Sequence, residues 1–137
     1  MLAFKYVVLF LTFVIGAMAN CRPAQTSCGG KWAATGYFGD AIRVAMDQIP
    51  DSLRFTIPTS GTLWHQCGRV SSTGRLVQSA VQVFTQCPGC NYEAFGDEIK
   101  CYANQGLRDC GSSNDWTGKA QICNEYYCVQ LTACLDN

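Results

Sequence analysis

The sequence predicts a small α+β domain, a disulfide-stapled sandwich in which an antiparallel sheet packs with two short helices. Three observations lead to this prediction. The 137-residue chain carries 10 cysteines, a density typical of small domains held by disulfides. Helical and strand periodicities follow one another without regular β-α-β alternation. No internal repeat or low-complexity linker divides the chain, so residues 20–137 form one predicted domain.

The segment 1–19 has the pattern of a secretory signal peptide. Lys5 precedes an apolar run from Tyr6 to Ile15, and Ala17-Met18-Ala19 is a cleavage triplet. The run is shorter than the ~20 residues that a bilayer-spanning helix needs. We therefore expect cleavage before Asn20 and a secreted, extracellular protein without a transmembrane anchor.

All the cysteines follow the leader, and an even number of them in an exported chain predicts disulfides. They are Cys21, Cys28, Cys67, Cys87, Cys90, Cys101, Cys110, Cys123, Cys128 and Cys134. Ten cysteines can pair in about 945 ways, so the sequence leaves their connectivity open. Closing a loop of about 15 residues stabilises a protein by around 3 kcal/mol, and several such bonds rival the net stability of a domain. Reduction is therefore expected to unfold the protein.

The first predicted helix begins near Asp40, a residue type suited to cap a helix N-terminus. Its apolar stripe has the spacing i, i+3, i+4, i+7 and consists of Ile42, Ala45, Met46 and Ile49. Pro50 ends the helix, because a proline ring disfavours helical geometry at the residue before it.

Two strands are predicted next along the chain. Leu53, Phe55 and Ile57 alternate with polar residues, the pattern of a half-buried strand. Gly61 marks a turn, and Thr62–Cys67 is the second predicted strand.

The segment 75–86 fits two interpretations. Helical spacing links four of its apolar residues, namely Val77, Ala80, Val81 and Phe84. As a strand, the same segment places Gln78 and Gln82 on one face with Leu76 and Phe84. The apolar spacing favours the helix, which is the second helix of the predicted fold.

The C-terminal part has weaker patterns. Ile99–Tyr102 is a predicted strand, and Gly106–Gly118 is a predicted loop because glycine, serine, asparagine and aspartate cluster there. Apolar and polar residues alternate from Tyr127 to Ala133, which predicts a strand that pairs into the sheet.

The charge balance excludes one class of partner. Removing Lys5 with the leader leaves 9 basic and 10 acidic residues. Nucleic-acid binding usually requires a basic excess, so we expect none. We expect a monomer whose partner is a foreign or host protein.

Cys87-Pro-Gly-Cys90 is the sharpest chemical motif. A redox pair needs a helix N-terminus that stabilises its thiolate, whereas these cysteines follow a predicted helix. A zinc site could combine them with Cys123 and Cys128, but the even cysteine count favours disulfides. We therefore expect Cys87 and Cys90 to be bonded to different partners, and we expect no cofactor.

We assign no catalytic residue and expect a protein that is not an enzyme. His65 is the only histidine, which excludes a two-histidine mechanism, and the G-x-S-x-G elbow of hydrolases is missing. Aromatic and cationic side chains are typical of binding surfaces. The candidate surface-binding residues are Trp116, Trp64, His65 and Arg69.

The segment 20–102 resembles the virally encoded killer toxins of fungi. The resemblance rests on the start Asn20-Cys21-Arg22 with Cys28, on Ala41-Ile42 in a short helix, on a strand ending in Cys67, and on the close pair Cys87 and Cys90. It implies an α/β sandwich, secretion, and inhibition of another cell's growth or channels. Cysteine-rich fungal effectors that act on plants use similar sandwiches. The resemblance assigns no site residue.

A second set of residues resembles expansin-like double-psi barrels. It consists of Cys67-Gly68-Arg69, Gly74-Arg75 and Cys87-Pro-Gly-Cys90. The resemblance implies binding to cell-wall polysaccharide, and it requires residues 75–86 to be a strand.

The sequence therefore favours a secreted, non-enzymatic toxin or virulence effector that acts on a foreign cell or host protein. A polysaccharide-binding expansin-like module and a protease inhibitor are the alternatives. A helix at residues 75–86 favours the toxin-like sandwich, and a strand favours the barrel.

Overall fold

A computed structural model describes residues 21–31, 38–57, 64–72, 75–87, 89–110 and 118–134. The predicted signal peptide, 1–19, and Trp116 lie outside these described residues.

The described residues form seven strands and two helices. In chain order they are β1 (Gln25–Lys31), α1 (Phe38–Asp47), β2 (Arg54–Thr56), β3 (Trp64–Ser72), β4 (Arg75–Thr85), β5 (Glu93–Phe95), α2 (Gly96–Cys110), β6 (Gly118–Cys123) and β7 (Tyr127–Ala133). One sheet has the strand order β1-β6-β7-β4-β3, and β2 pairs with β5 in a small second sheet. All pairs are antiparallel, so the predicted α+β class with two short helices is confirmed.

Both helices lie on the same face of the large sheet, and two glycines position them. A Cβ on Gly68 of β3 would collide with the backbone of Ala41 in α1. A Cβ on Gly106 of α2 would lie 2.6 Å from Cδ1 of Ile122 in β6. The strand register puts Gly68 and Ile122 on one side of the sheet. We call this side the inner face and the opposite side the outer face.

The hydrophobic core fills the space between the inner face and the helices. Ile42 of α1 and Tyr102 of α2 are fully buried against strand residues such as Val81 and Leu131. The apolar stripe predicted for the first helix faces this core, as expected. The helix begins at Phe38, two residues before Asp40, so Asp40 lies in the first turn rather than at the cap. Its carboxylate there suits the positive end of the helix dipole.

The strand predictions hold at three places. β2 lies within the predicted residues 53–57, and β7 matches the predicted Tyr127–Ala133. β3 includes most of the predicted Thr62–Cys67 and continues to Ser72. Residues 62 and 63 lie outside the described part of the chain.

The second predicted helix is wrong, because residues 75–85 form strand β4. β4 lies between β3 and β7 in the sheet, and both of its faces contain buried residues. Ala80 and Val81 are adjacent in sequence, point to opposite faces and are both fully buried. A strand buried on both faces loses the simple apolar–polar alternation, and the apolar residues then fit a helical period by chance.

The second helix of the fold is instead α2, which replaces the predicted strand Ile99–Tyr102 and the start of the predicted loop Gly106–Gly118. Ile99, Tyr102 and Ala103 are buried on one side of it, with the spacing of an amphipathic helix. Gly106 continues this stripe where the helix touches the sheet. Gly106 allows α2 to pack closely on the sheet, whereas the local sequence pattern treats this glycine as a loop signal.

The ten cysteines form five disulfides, and none is left reduced. The bonds are Cys21–Cys101, Cys28–Cys110, Cys67–Cys134, Cys87–Cys90 and Cys123–Cys128. The first two attach the N-terminal segment and β1 to α2, and the third joins β3 to the end of β7. The expectation that Cys87 and Cys90 have different partners is wrong, since they are bonded to each other within one turn. Among the described residues, no helix is long and apolar enough to cross a bilayer.

Candidate functional site

Acidic residues are distributed unevenly between the large sheet and the layer that contains the helices and the small sheet. Within the five described strands of the large sheet there is no aspartate or glutamate. The helices and the small sheet, in contrast, carry Asp40, Asp47, Glu93, Asp97, Glu98 and Asp109. The sheet layer is therefore rich in amides and cations, and the helical layer is acidic.

A row of polar side chains crosses the outer face. Cross-strand pairing aligns, from β1 to β3, Ser27, Gln121, Gln130, Gln82 and His65. Neighbouring strands are about 4.8 Å apart, so amide groups recur at nearly regular intervals. Gln82 is buried, being only 6% exposed, whereas Gln121 and Gln130 are partly exposed and the two end residues are exposed. Solvent and partners therefore reach this face best at its margins and at the β6 and β7 amides.

The structure separates the predicted surface residues. His65 and Arg69 are exposed on the outer face of β3, with Cys67 between them. Trp64 points to the inner face, is partly buried, and stacks on Phe55 with ring centroids 5.2 Å apart. Trp64 is therefore a packing residue, whereas His65 and Arg69 lie together on one margin beside the Cys67–Cys134 bond. We call it the cationic margin, after the charge of Arg69.

The sequence reasoning missed the glutamines of the outer face as candidates. The signal for them was present, because a strand period over residues 76–84 puts Gln78 and Gln82 on one face. Gln130 pairs with Gln82, and Gln121 pairs with Gln130. These residues come from strands much later in the sequence, and only the register brings them into line.

A second polar cluster joins the N-terminal segment to α2 and β7. Arg22 donates two hydrogen bonds to Glu98, Nη2 to Oε1 at 2.8 Å and Nε to Oε2 at 3.2 Å. Tyr127, which is fully buried, donates its hydroxyl hydrogen bond to the same carboxylate. The Tyr102 hydroxyl lies alongside and accepts from Asn124 Nδ2 at 3.2 Å.

The electrostatics of this cluster fix Glu98 as a carboxylate. Burial alone would raise the pKa of Glu98, but the hydrogen bonds from Arg22 and Tyr127 and the charge of Arg22 lower it below its ordinary value. Burial, and then the hydrogen bond to Glu98, raise the pKa of Tyr127 well above its ordinary value. A carboxylate with a depressed pKa and its lone pairs engaged is a weak proton acceptor. The arrangement therefore suits structural attachment better than acid–base chemistry.

Aromatic rings complete the attachment of Arg22. Tyr92 and Tyr126 stack with centroids 4.3 Å apart and nearly parallel planes. The Arg22 guanidinium lies 4.7 Å from the centroid of Tyr92 and 5.8 Å from that of Tyr126. Cation–π contact of this kind stabilises a partly exposed arginine by roughly 0.5–1 kcal/mol. The neighbouring Cys21–Cys101 bond fixes the same segment covalently.

One cleft of about 500 Å³ opens beside the β6–β7 turn. It is lined by Pro23, Ala24, Gln25, Gln86, Cys123, Asn124 and Glu125. Asn124 is already engaged, since its Oδ1 accepts from the backbone N–H groups of Tyr126 and Tyr127. The remaining polar groups are one carboxylate and two amides, which can bind a ligand but do not form a catalytic set.

The cysteines of the Cys87-Pro-Gly-Cys90 motif are oxidised, so neither is available as a thiolate. Cys87 and Cys90 are bonded to each other, and so are Cys123 and Cys128, so these four sulfurs cannot hold a zinc ion as thiolates. In the described part of the chain no three His, Cys, Asp or Glu residues are grouped so that they could hold a metal. The Cys87–Cys90 turn follows β4 rather than opening a helix, which is the environment of a structural pair.

No protein family, curated protein or solved structure matches this chain.

Proposed function

We propose that the protein is a secreted toxin or virulence effector that acts by binding a target on a foreign cell or host, without catalysing a reaction. The observation that supports this most is the cationic margin of the outer face, where Arg69 and His65 are exposed on a strand that a disulfide holds in place. Binding energy is lost when flexible groups are ordered, and a stapled surface avoids much of that loss.

The five disulfides support the same proposal. Chains of this size bury a limited core, and crosslinks allow such a domain to persist in an oxidising extracellular medium. The bonds attach both the β1 side and the β3 side of the sheet. These crosslinks hold the binding margin in place under solvent conditions that would loosen a weak core.

The test applies the oxidised polypeptide 20–137 to target cells and compares a deletion strain with its parent in a virulence assay. We expect the polypeptide to inhibit the growth of the target cells, or the deletion strain to be less virulent than its parent. Arg69→Glu should abolish most of the growth inhibition or of the virulence. Arg43→Glu is the control with the same charge change, since Arg43 is an exposed cation of α1 on the acidic layer. Arg43 pairs with Asp40, so the unfolding temperature of this variant is measured beside its activity. No effect in either assay would contradict the proposal.

A polysaccharide-binding module is the second candidate, because residues 75–85 form the strand that the barrel resemblance requires. It stays second because the described strands form an open sheet with both helices on one face, which is a sandwich and not a barrel. The row of amides on the outer face offers hydrogen-bond donors and acceptors suited to sugar hydroxyls. Retention of the oxidised protein on chitin, cellulose or β-glucan, lost in Gln121→Ala, would favour this candidate. Loss of protease activity at nanomolar protein would instead favour an inhibitor.

A further inference from the structure

Among the described residues, no strand pairs with the β3 edge of the large sheet. β3 is the terminal strand of the sheet, and it pairs along its whole length with β4 without a register shift. At the other edge, the register of β1 shifts between Gly29 and Lys31. Such irregularities are a common protection of sheet edges. The β3 edge is regular over all nine of its residues.

The hydrogen-bond phase shows which backbone groups of β3 point outward. Cys134 N donates to Gln78 O at 3.3 Å, so the backbone of Gln78 faces β7. Facing groups alternate along an antiparallel strand, and therefore Ser79 and Val81 face β3. Their register partners on β3, Gly68 and Gln66, face β4 in turn.

The odd-numbered residues of β3 consequently direct their N–H and C=O groups away from the sheet. They are His65, Cys67, Arg69 and Ser71. The Cys67 carbonyl accepts from Gln66 Nε2 at 3.2 Å. No hydrogen bond from another described residue reaches the outward backbone groups of His65, Arg69 or Ser71. Exposed backbone groups of this kind are a template for a further strand.

The side chains beside this edge define the chemistry of that strand. On the outer face, Arg69 has no ion pair with a described residue, and the sheet contains no carboxylate to supply one. On the inner face, Trp64 and Val70 are partly exposed at the rim. An added strand would therefore place acidic residues beside Arg69 and apolar residues at the rim, in alternation.

We propose that the β3 edge binds an extended segment of another protein, with alternating acidic and apolar residues, as a sixth strand of the sheet. A second copy of this chain is a poorer occupant, because its own β3 is also free of acidic residues. This mode of recognition draws affinity from the main chain and specificity from alternate side chains. The inference rests on the proposed function, because it names the class of target that the binding margin takes.

The test uses a nine-residue peptide of alternating valine and glutamate, titrated by fluorescence anisotropy and followed by amide hydrogen exchange. In the free protein, Gln66 and Gly68 amides should exchange slowly, and Cys67 and Arg69 amides fast. Saturating peptide should slow the Cys67 and Arg69 amides. Replacing the glutamates by glutamine should weaken binding about two- to fivefold for each position facing Arg69.

Two variants address the two sources of affinity. Arg69→Glu should weaken binding of the acidic peptide, whereas the control Arg43→Glu, with the same change in net charge, should not. Ser71→Pro removes an outward N–H that a folded edge strand can lack, and it should weaken binding about two- to tenfold with an unchanged unfolding temperature.

Absence of binding up to about 1 mM peptide, or binding that leaves the Cys67 and Arg69 amides exchanging fast, would overturn the inference. If the peptide does not bind while the growth or virulence effect persists, strand addition is wrong and the proposed function stands. If the peptide binds as expected but no cell assay responds, the edge is a binding site and the proposed function is wrong.

Discussion

Removing the Cys28–Cys110 disulfide is expected to cost far less than its sequence separation suggests. The two cysteines are 82 residues apart, and a bond closing such a loop alone would contribute about 4.5 kcal/mol in the chain-entropy account. The Cys21–Cys101 bond already joins the same two segments. The loop that Cys28–Cys110 closes then contains only residues 21–28 and 101–110, about 18 in all, which lowers its contribution to about 3 kcal/mol.

The variant is Cys28→Ser with Cys110→Ser, measured by urea unfolding with mass spectrometry to verify the other bonds. Cys28 is exposed and Cys110 is only partly buried against the core, so the loop term exceeds the loss of packing. We expect a loss of about 3 kcal/mol and a fall in unfolding temperature of about 10 °C. Cys87→Ser with Cys90→Ser is the control, because its loop of about four residues contributes only about 2 kcal/mol.

The contributions of these two disulfides to the free energy of unfolding should not be additive. Removing both Cys28–Cys110 and Cys21–Cys101 should cost about 8 kcal/mol, more than twice either single removal and enough to unfold a typical domain. A loss of about 4.5 kcal/mol or more from the single removal, or additive losses for the two bonds, would refute the view that the bonds share one loop.

Three further predictions concern single residues. Gly68→Ala should destabilise the fold by about 1–3 kcal/mol, because the added Cβ meets the α1 backbone. Gly29 has open space around it, so the control Gly29→Ala should change the free energy of unfolding by under about 0.5 kcal/mol. Equal losses in the two variants would contradict the packing argument. Glu98→Gln should remove a pH-dependent contribution to stability, because the lowered pKa of Glu98 stabilises the folded state above about pH 4.3. The difference in unfolding free energy between wild type and variant should therefore close as pH falls through the folded pKa of Glu98. A difference that does not change with pH would contradict this prediction. Tyr127→Phe should cost about 1.5–3 kcal/mol at pH 7 in urea unfolding, because it removes the hydrogen bond to the Glu98 carboxylate. The loss should be smaller in the Glu98→Gln background. An equal loss in both backgrounds would exclude that hydrogen bond as its cause.

Local patterns predicted the elements whose faces differ in polarity. α1 has one buried stripe, and β7 alternates between apolar inner-face residues and the outer-face residues Cys128, Gln130 and Thr132, of which only Gln130 is partly exposed. Each of these patterns is set by neighbours within a few residues. The fold class followed from such elements and from the cysteine count.

The errors arose where long-range contacts decide the conformation. β4 lies between β3 and β7 and has buried residues on both of its faces, so its own sequence has no clear period. α2 contains Gly106 because the helix must approach Ile122 closely, and a local rule reads that glycine as a break. The disulfide pairing and the row of glutamines depend on register between distant strands, which no window of sequence contains.

Among the described residues, the strands of the large sheet carry cations and no carboxylate, whereas the helices and the small sheet carry six carboxylates and four cations. This asymmetry gives these two layers an electric dipole that points toward the sheet. Such a dipole turns a diffusing protein before contact, so that the sheet leads toward an anionic surface. Because salt weakens this long-range orientation, the rate of encounter should fall as ionic strength rises, even though the bound state itself changes little.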